Sequence, residues 1–513
     1  MRGSIAATLL GGLTTASAET ILGVTIFSRH GDRTSKHHPD YRLTNLGAQQ
    51  NHQVGSDYRA LYLSSNSSKQ ILGVSEDTYV PGQIFAQSPA QEVLSSSATA
   101  FLQGLYPPLS TLDDQILNNG TTLSAPVNGY QYVQLNVESP SSPNSIWTKG
   151  DEQCHVVQNI ADMLSAQDAI INATRPFYQK FAPVLENVTD ITKPYLTYEH
   201  AYDIYDLINT ALIHNTTLKD AVTPTDLHQL RTLADRRELS LNINPDSPNW
   251  SIGGRTLAGA ILNAMNTTIS SRGSNAKLSF LSGSYNTMIQ FFGLYGLLEN
   301  NNNTVSKTAN VDFSGLPNYA ATLVVELFTE KNTTVFPADH NDLKVRFLFR
   351  NGSEPTDELK AYPLFGPGFS TRSEWNSAVD ASNETYRAPV PAHTGVSMLY
   401  SDFESEMQQT ALTSVDNWCD VCGRTAPFCR EYGVSEGPVS TYREEGMSNA
   451  VAGVIGAMVA LAIMGAVGAA AVLVVRRRWR RRQAVTMEAA MAMGNVKGVE
   501  FDVRSVKSGR VGV

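Results

Sequence analysis

The chain has 513 residues and a formal net charge of −9, with 42% apolar residues, an ordinary share for a globular protein. That length exceeds one average domain and suits a large α/β domain carrying an insertion. The charge is uneven: residues 476–513 carry a net +7, leaving −16 for the rest, and so acidic a body argues against nucleic acid as a partner.

Residues 1–18 read as a signal peptide: Arg2, a short apolar run over 5–13, then Ala16-Ser17-Ala18 at a cleavage site. Residues 21–28 form a continuous apolar run with the signature of a buried strand. It leads into Phe27-Ser28-Arg29-His30-Gly31-Asp32-Arg33-Thr34. Imidazole can attack phosphorus and hold it covalently, and guanidinium forks match phosphate oxygens. One histidine between two arginines is therefore material for phosphoryl transfer. A helix is predicted from about 43 to 63 with Thr44 as N-cap, a second strand over 81–86, and a helix over 92–106 ended by Pro107-Pro108. The alternation assigns 19–141 to an α/β sheet domain.

From 142 to 270 helical spacing dominates, over 160–169, 172–185, 200–213, 227–238 and 255–269, and this stretch reads as a helical insertion. The α/β pattern returns over 271–430, with strands at 277–281, 320–328 and 343–349, a helix at 287–298, and a turn at Asn351-Gly352-Ser353. Residues 431–449 read as a polar stalk. Residues 450–475 are apolar and uncharged, long enough for one transmembrane helix, and six arginines follow within 476–482. The expected topology is type I, at the plasma membrane or another secretory-pathway membrane, with a large outer domain and a basic cytoplasmic tail over 476–513. Eleven glycosylation sequons, from Asn66 to Asn383, all lie between signal and span. Cys154, Cys419, Cys422 and Cys429 fit disulfides in an oxidising compartment, with three pairings open. That compartment, and the lack of a matching histidine pair, set zinc or redox chemistry at Cys419-x-x-Cys422 behind disulfides. No cofactor or metal is expected.

The chain resembles the histidine acid phosphatases, relatives of phytases and phosphoglycerate mutases, which carry Arg-His-Gly-x-Arg-x-Pro after their first strand. Here that reads Arg29-His30-Gly31-Asp32-Arg33-Thr34-Ser35. Supporting stretches follow in order: Leu43-Thr44-Asn45-Leu46-Gly47-Ala48-Gln49, residues 98–108, and Tyr198-Glu199-His200-Ala201-Tyr202-Asp203. The resemblance implies a phosphoglycerate mutase-like α/β sandwich with an inserted helical domain and a pocket at the C-terminal edge of its sheet. It implies His30 as nucleophile and Arg29 and Arg33 as phosphate ligands.

The same resemblance exposes departures. The family's third phosphate-binding arginine corresponds to Gln87 in Phe85-Ala86-Gln87-Ser88-Pro89. Its late His-Asp pair, a phosphate ligand and the leaving-group acid, corresponds to Ser284 and Tyr285. Its motif proline is Ser35. His37 and His38 read as solvated loop residues, and His340-Asn341-Asp342 precedes a strand, a poor place for the missing pair. Two functions are expected of such a site. One is an impaired phosphatase acting on a phosphomonoester or other anionic small molecule. The other is a surface glycoprotein that binds an anion or a protein without turnover.

Overall fold

The computed structural model describes residues 19–110, 114–157, 168–185, 191–215, 221–244, 247–298, 313–365 and 395–430. The expected signal peptide, stalk, transmembrane segment and tail lie outside the described residues. So do most of the helix expected over 160–169 and the sequons at Asn187, Asn302 and Asn383. Among the described residues no helix is long and apolar enough to cross a membrane.

The strands are β1 (Thr20–Arg29), β2 (Ile84–Pro89), a small hairpin of β3 (Gln115–Ile116) and β4 (Thr122–Leu123), β5 (Asn136–Glu138), β6 (Leu278–Gly283), β7 (Thr322–Thr329), β8 (Lys344–Arg350), β9 (Lys360–Tyr362) and β10 (Ser397–Leu399). The longer helices are α1 (Asn45–Tyr58), α2 (Glu92–Leu105), α3 (Asp168–Gln179), α4 (Ala201–His214), α5 (Pro224–Asn242), α6 (Ile252–Ser270), α7 (Tyr285–Leu294) and α8 (Tyr400–Gln408). The main sheet runs β10-β8-β7-β1-β6-β2-β5, with β9 added on β8. β1, β6, β2 and β5 are mutually parallel, whereas β7 is antiparallel to β1 and β8 to β7.

Both faces of the sheet are covered, which explains why its strands read as unbroken apolar runs. Successive side chains alternate between the two cores. Ile26, Phe280, Val324 and Leu348 pack toward α1 and α2. Phe27, Leu281, Leu323, Val325, Phe347 and Phe349 pack toward α6, α7 and α8. α1 begins where its N-cap predicts, with Thr44 Oγ1 accepting from Gly47 N at 3.1 Å.

Helices α3, α4 and α5 hold a separate apolar core built on Ile171, Tyr178, Ile204, Leu207 and Leu230. α6, expected with them, behaves differently. Its Leu257, Ile261 and Met265 share the sheet's core with Phe27 and Leu281, so it is a layer of the sandwich. Strand β2 begins later than predicted and runs on through Gln87 to Pro89, because Gln87 and Pro89 pair in register with Asn136 and Glu138 of β5.

The four cysteines form Cys154–Cys422 and Cys419–Cys429, so the two residues of Cys419-x-x-Cys422 take different partners. Trp418 packs with all four, and its Nε1 donates to Gly150 O at 2.8 Å. The register sets the site. Arg29 is level with Gly283, and Ser28 with Thr322, so the end of β1, the end of β6 and the start of β7 meet at one edge.

Candidate active site

The loop leaving β1 is held against the first turn of α1. A Cβ on Gly31 would strike Gly47 O, and one on Gly47 would strike Asp32 O, so both glycines permit one close approach. Thr44 N donates to Asp32 O at 3.1 Å, Gly31 N to Ser97 Oγ at 3.1 Å, and Asp32 N to Gln50 Oε1 at 2.8 Å. His214, at the end of α4, reaches Asp32 Oδ2 with Nε2 at 2.6 Å, linking the helical layer to this loop.

His30 is buried, and its Nδ1 lies 2.8 Å from Gly31 O. A carbonyl only accepts, so Nδ1 carries the proton and Nε2 presents its lone pair. Nε2 is buried with no hydrogen-bond partner among the described residues. Burial, then the charges of Arg29 and Arg33, hold the imidazole well below its ordinary pKa, so it is neutral. That is the protonation state and tautomer an attacking imidazole needs.

Arg33 differs from the simple clamp that the motif suggests. Its Nη2 meets Asp206 Oδ1 at 2.9 Å and Tyr202 Oη at 2.8 Å, and its Nη1 donates to Asp206 Oδ2 and Thr34 O, both at 3.0 Å. All four terminal N–H groups are thus taken, and only Nε, buried and without a partner among the described residues, remains. Asp206 also accepts from Ser35 Oγ at 2.8 Å and Lys36 N at 2.9 Å. Burial alone would raise the carboxyl pKa, but Arg33 and these donors hold it below the ordinary range, so it stays ionised. The change from proline to Ser35 therefore adds a hydrogen bond to Asp206 as well as altering loop stiffness.

Arg29 is the open cation. Nη1 donates to Pro317 O, while Nε is buried and has no partner among the described residues. Its guanidinium lies 4.7 Å from the ring centre of Tyr319 and 5.1 Å from that of Tyr285. Arg29, Tyr202, Asp206 and Tyr319 line a cavity of about 240 Å³. His30 does not line it; its ring lies 5.7 Å from that of Tyr319.

The three departures from the family pattern are placed differently. Tyr285 is buried at the start of α7, against Arg29 and Tyr202, and donates to Glu238 Oε2 at 2.9 Å. Ser284 is the residue before α7, and its hydroxyl donates to Asn286 Oδ1. Gln87 donates to Asn144 O at 2.9 Å and lines a different cavity, with Trp147 and Leu281. His340 to Asp342 form a turn before β8. Lys344 pairs with Phe328 and Thr20 with Thr329, which puts that turn at the sheet edge opposite His30.

Sequence reasoning missed Lys36, Asp206, Glu238 and Tyr319. Asp206 lies one helical turn beyond Tyr202 on α4, so its place on the same face was readable once Tyr202 was noticed. Lys36 directly follows the motif. Nothing local marks Tyr319 or Glu238.

The profile of the histidine phosphatase superfamily (branch 2) matches residues 35–350, more than half of the chain, and the protein belongs to that superfamily. The match begins just after the Arg29-to-Arg33 loop. Phosphomonoester hydrolysis is supported at the level of that family. No curated protein matches the sequence. Similar solved structures include the phytase of Citrobacter braakii, with 14% identity over 79% of this chain and 99% of that one, at a TM-score of 0.46. The phytase of D. castellii gives 14% identity over 82% and 87%, at 0.47. The multiple inositol polyphosphate phosphatase of Bifidobacterium longum, in complex with inositol hexasulfate, gives 13% over 68% and 88%, at 0.40.

Proposed function

We propose that this chain hydrolyses phosphomonoesters through a phosphohistidine on His30, at a rate reduced by the changes at Gln87, Ser284 and Tyr285. The observation that carries the reading is a set of three orphaned nitrogens. Arg29 Nε, His30 Nε2 and Arg33 Nε are all buried and all lack a partner among the described residues. Buried polar groups are almost always satisfied, and each orphan costs about 1–3 kcal/mol. A phosphoryl group would supply acceptor oxygens to the two guanidinium N–H groups and an electrophile to the one lone pair. A positioned acid contributes about 10²–10⁴ in rate, and one charge-stabilising donor about 10²–10³. The reaction starts from very large accelerations, so losing such groups leaves room for turnover.

The full-length chain, assayed with an aryl phosphomonoester from acid to neutral pH, should release phosphate, and a His30→Ala variant should not. Equal rates would refute the reading. The engagement of Arg33 by Asp206, which withdraws one phosphate ligand from catalysis, favours the second reading, a surface glycoprotein that binds an anion or a protein without turnover. Phosphate binding by calorimetry with no His30-dependent hydrolysis would establish that one instead.

The proposed setting is the outer or lumenal side of a secretory-pathway membrane, anchored by 450–475. It rests on the apolar run, the arginines after it and the sequons, of whose described asparagines none is buried. Protease protection of the tail in sealed vesicles, together with glycosidase sensitivity of the outer domain, would test it.

A further inference from the structure

We propose that Lys36 is the proton donor to the leaving group, in place of the acid absent at Tyr285. The inference rests on the phosphohistidine reading above. Its ground is the placement of the Lys36 ammonium, and around it carboxyls and phenols that are either engaged or hold their protons too tightly.

Lys36 Nζ lies 5.1 Å from the ring centre of Tyr285 and 5.5 Å from that of Tyr202. Tyr285 is the residue at the family's acid position, and Arg29 packs on the same ring at 5.1 Å. The positive charge of Lys36 also acts on His30. The ammonium therefore stands over the spot from which the missing side chain would reach. Among the described residues it has no carboxylate within ion-pair distance, although its own backbone N–H is bound by Asp206.

The alternatives are occupied. Asp206 is held ionised by Arg33, Ser35 and Lys36 N, so it has no proton to give. Tyr202 accepts from Arg33, and burial raises its pKa far above the ordinary phenol value. Tyr319 is pushed up to about 12 by burial and Asp206. Tyr285 directs its proton to Glu238, and burial and that carboxylate raise its pKa well above 10.0. Burial raises the pKa of Glu238, but its carboxyl is engaged by Tyr285 Oη and by Arg237 Nη1 at 3.0 Å.

The charged groups facing Lys36 come from four segments: Arg29 at the end of β1 with Arg33 in the loop after it, Lys149, Asp206 on α4, and Glu238 on α5. Burial, then the charges of Arg33 and Lys149, bring the ammonium down to about 7. A lysine so tuned is a competent acid at neutral and acid pH.

The step balances. His30 Nε2 attacks phosphorus, the ester P–O bond breaks, and the leaving oxygen takes a proton from Lys36 Nζ, which becomes a neutral amine. Water then attacks the phosphohistidine, the N–P bond breaks, and the water's proton returns to Nζ.

The test uses the full-length chain with an alkyl phosphomonoester, whose alkoxide must be protonated, and with p-nitrophenyl phosphate, whose phenolate leaves without help. Lys36→Arg keeps the charge but has no proton to give near neutrality. Its loss in kcat/KM, which reports the steps through P–O cleavage and not the dephosphorylation both esters share, should be larger on the alkyl ester than on the aryl ester by about 10²–10⁴, while calorimetry still detects inorganic phosphate binding. In the unaltered chain kcat/KM for the alkyl ester should fall as pH rises through about 7, and kcat/KM for the aryl ester should lack that limb. Equal losses on both esters, no falling limb, or a leaving-group effect from Tyr285→Phe but not from Lys36→Arg would overturn the assignment. If the unaltered chain shows no His30-dependent hydrolysis of the aryl ester, the phosphohistidine reading falls, and this one with it.

Discussion

Asp206 fills the fork of Arg33: Oδ1 lies 2.9 Å from Nη2, and Oδ2 lies 3.0 Å from Nη1. A carboxylate from the helical layer thus holds the geometry that a phosphate would otherwise take on that guanidinium. Of the two motif arginines, Arg29, whose Nε has no partner among the described residues and whose guanidinium lines the cavity, is the one left open.

Replacing Asp206 with Asn should therefore do two things at once. The variant loses stability by about 3–5 kcal/mol, because a buried Arg33 charge loses its partner. Added inorganic phosphate should then raise the melting temperature of the variant more than that of the parent, since the freed fork now prefers a ligand. Thermal melts with and without phosphate check this. Equal phosphate shifts would mean that Arg33 does not face the anion.

His30 sets a pH signature of its own. Its folded pKa lies well below 6.5, while the unfolded imidazole titrates near that value. Below 6.5 the unfolded chain therefore binds the extra proton, so acid favours unfolding at this residue. The parent should lose stability relative to His30→Gln as pH falls through and below 6.5, as measured by denaturant unfolding. A difference that does not change with pH would show that the imidazole is not held neutral.

Glu238 has the opposite sign. Burial raises its folded pKa above 4.5, so between the unfolded and folded values the native state binds more protons. Its contribution is fully present below 4.5 and is lost as pH rises through the folded value. Glu238→Gln, which still accepts from Tyr285, should gain on the parent as pH rises from 4.5 toward neutral. The same unfolding series checks it.

Gly31→Ala should destabilise the fold by about 1–3 kcal/mol, because the added methyl meets a backbone carbonyl of α1 that cannot swing aside. It should also impair phosphate binding, since the displaced loop carries His30.

The parts of the fold that depend on local pattern were legible in the sequence. The buried run of β1, the Thr44 cap and the proline-ended α2 each declare themselves within a few residues. The motif likewise located His30 at the end of β1. What escaped were features made by distant contacts. The Arg33–Asp206 pair joins residues from two layers, and the Glu238–Tyr285 bond another two, so no spacing rule reaches either. Periodicity places α6 with its helical neighbours, because it reports a helix but not which layer covers it. Gln87 could be matched to the missing arginine by order along the chain, but strand register decides which cavity its side chain enters.

The most direct measurement is labelling of the full-length chain with a phosphomonoester radiolabelled at phosphorus, quenched in alkaline denaturant and followed by peptide mapping at alkaline pH. The account predicts an acid-labile, base-stable label on the peptide carrying His30, formed and lost at rates consistent with turnover and missing in His30→Ala. Hydrolysis that proceeds with no label on that peptide, or that survives in His30→Ala, would contradict it.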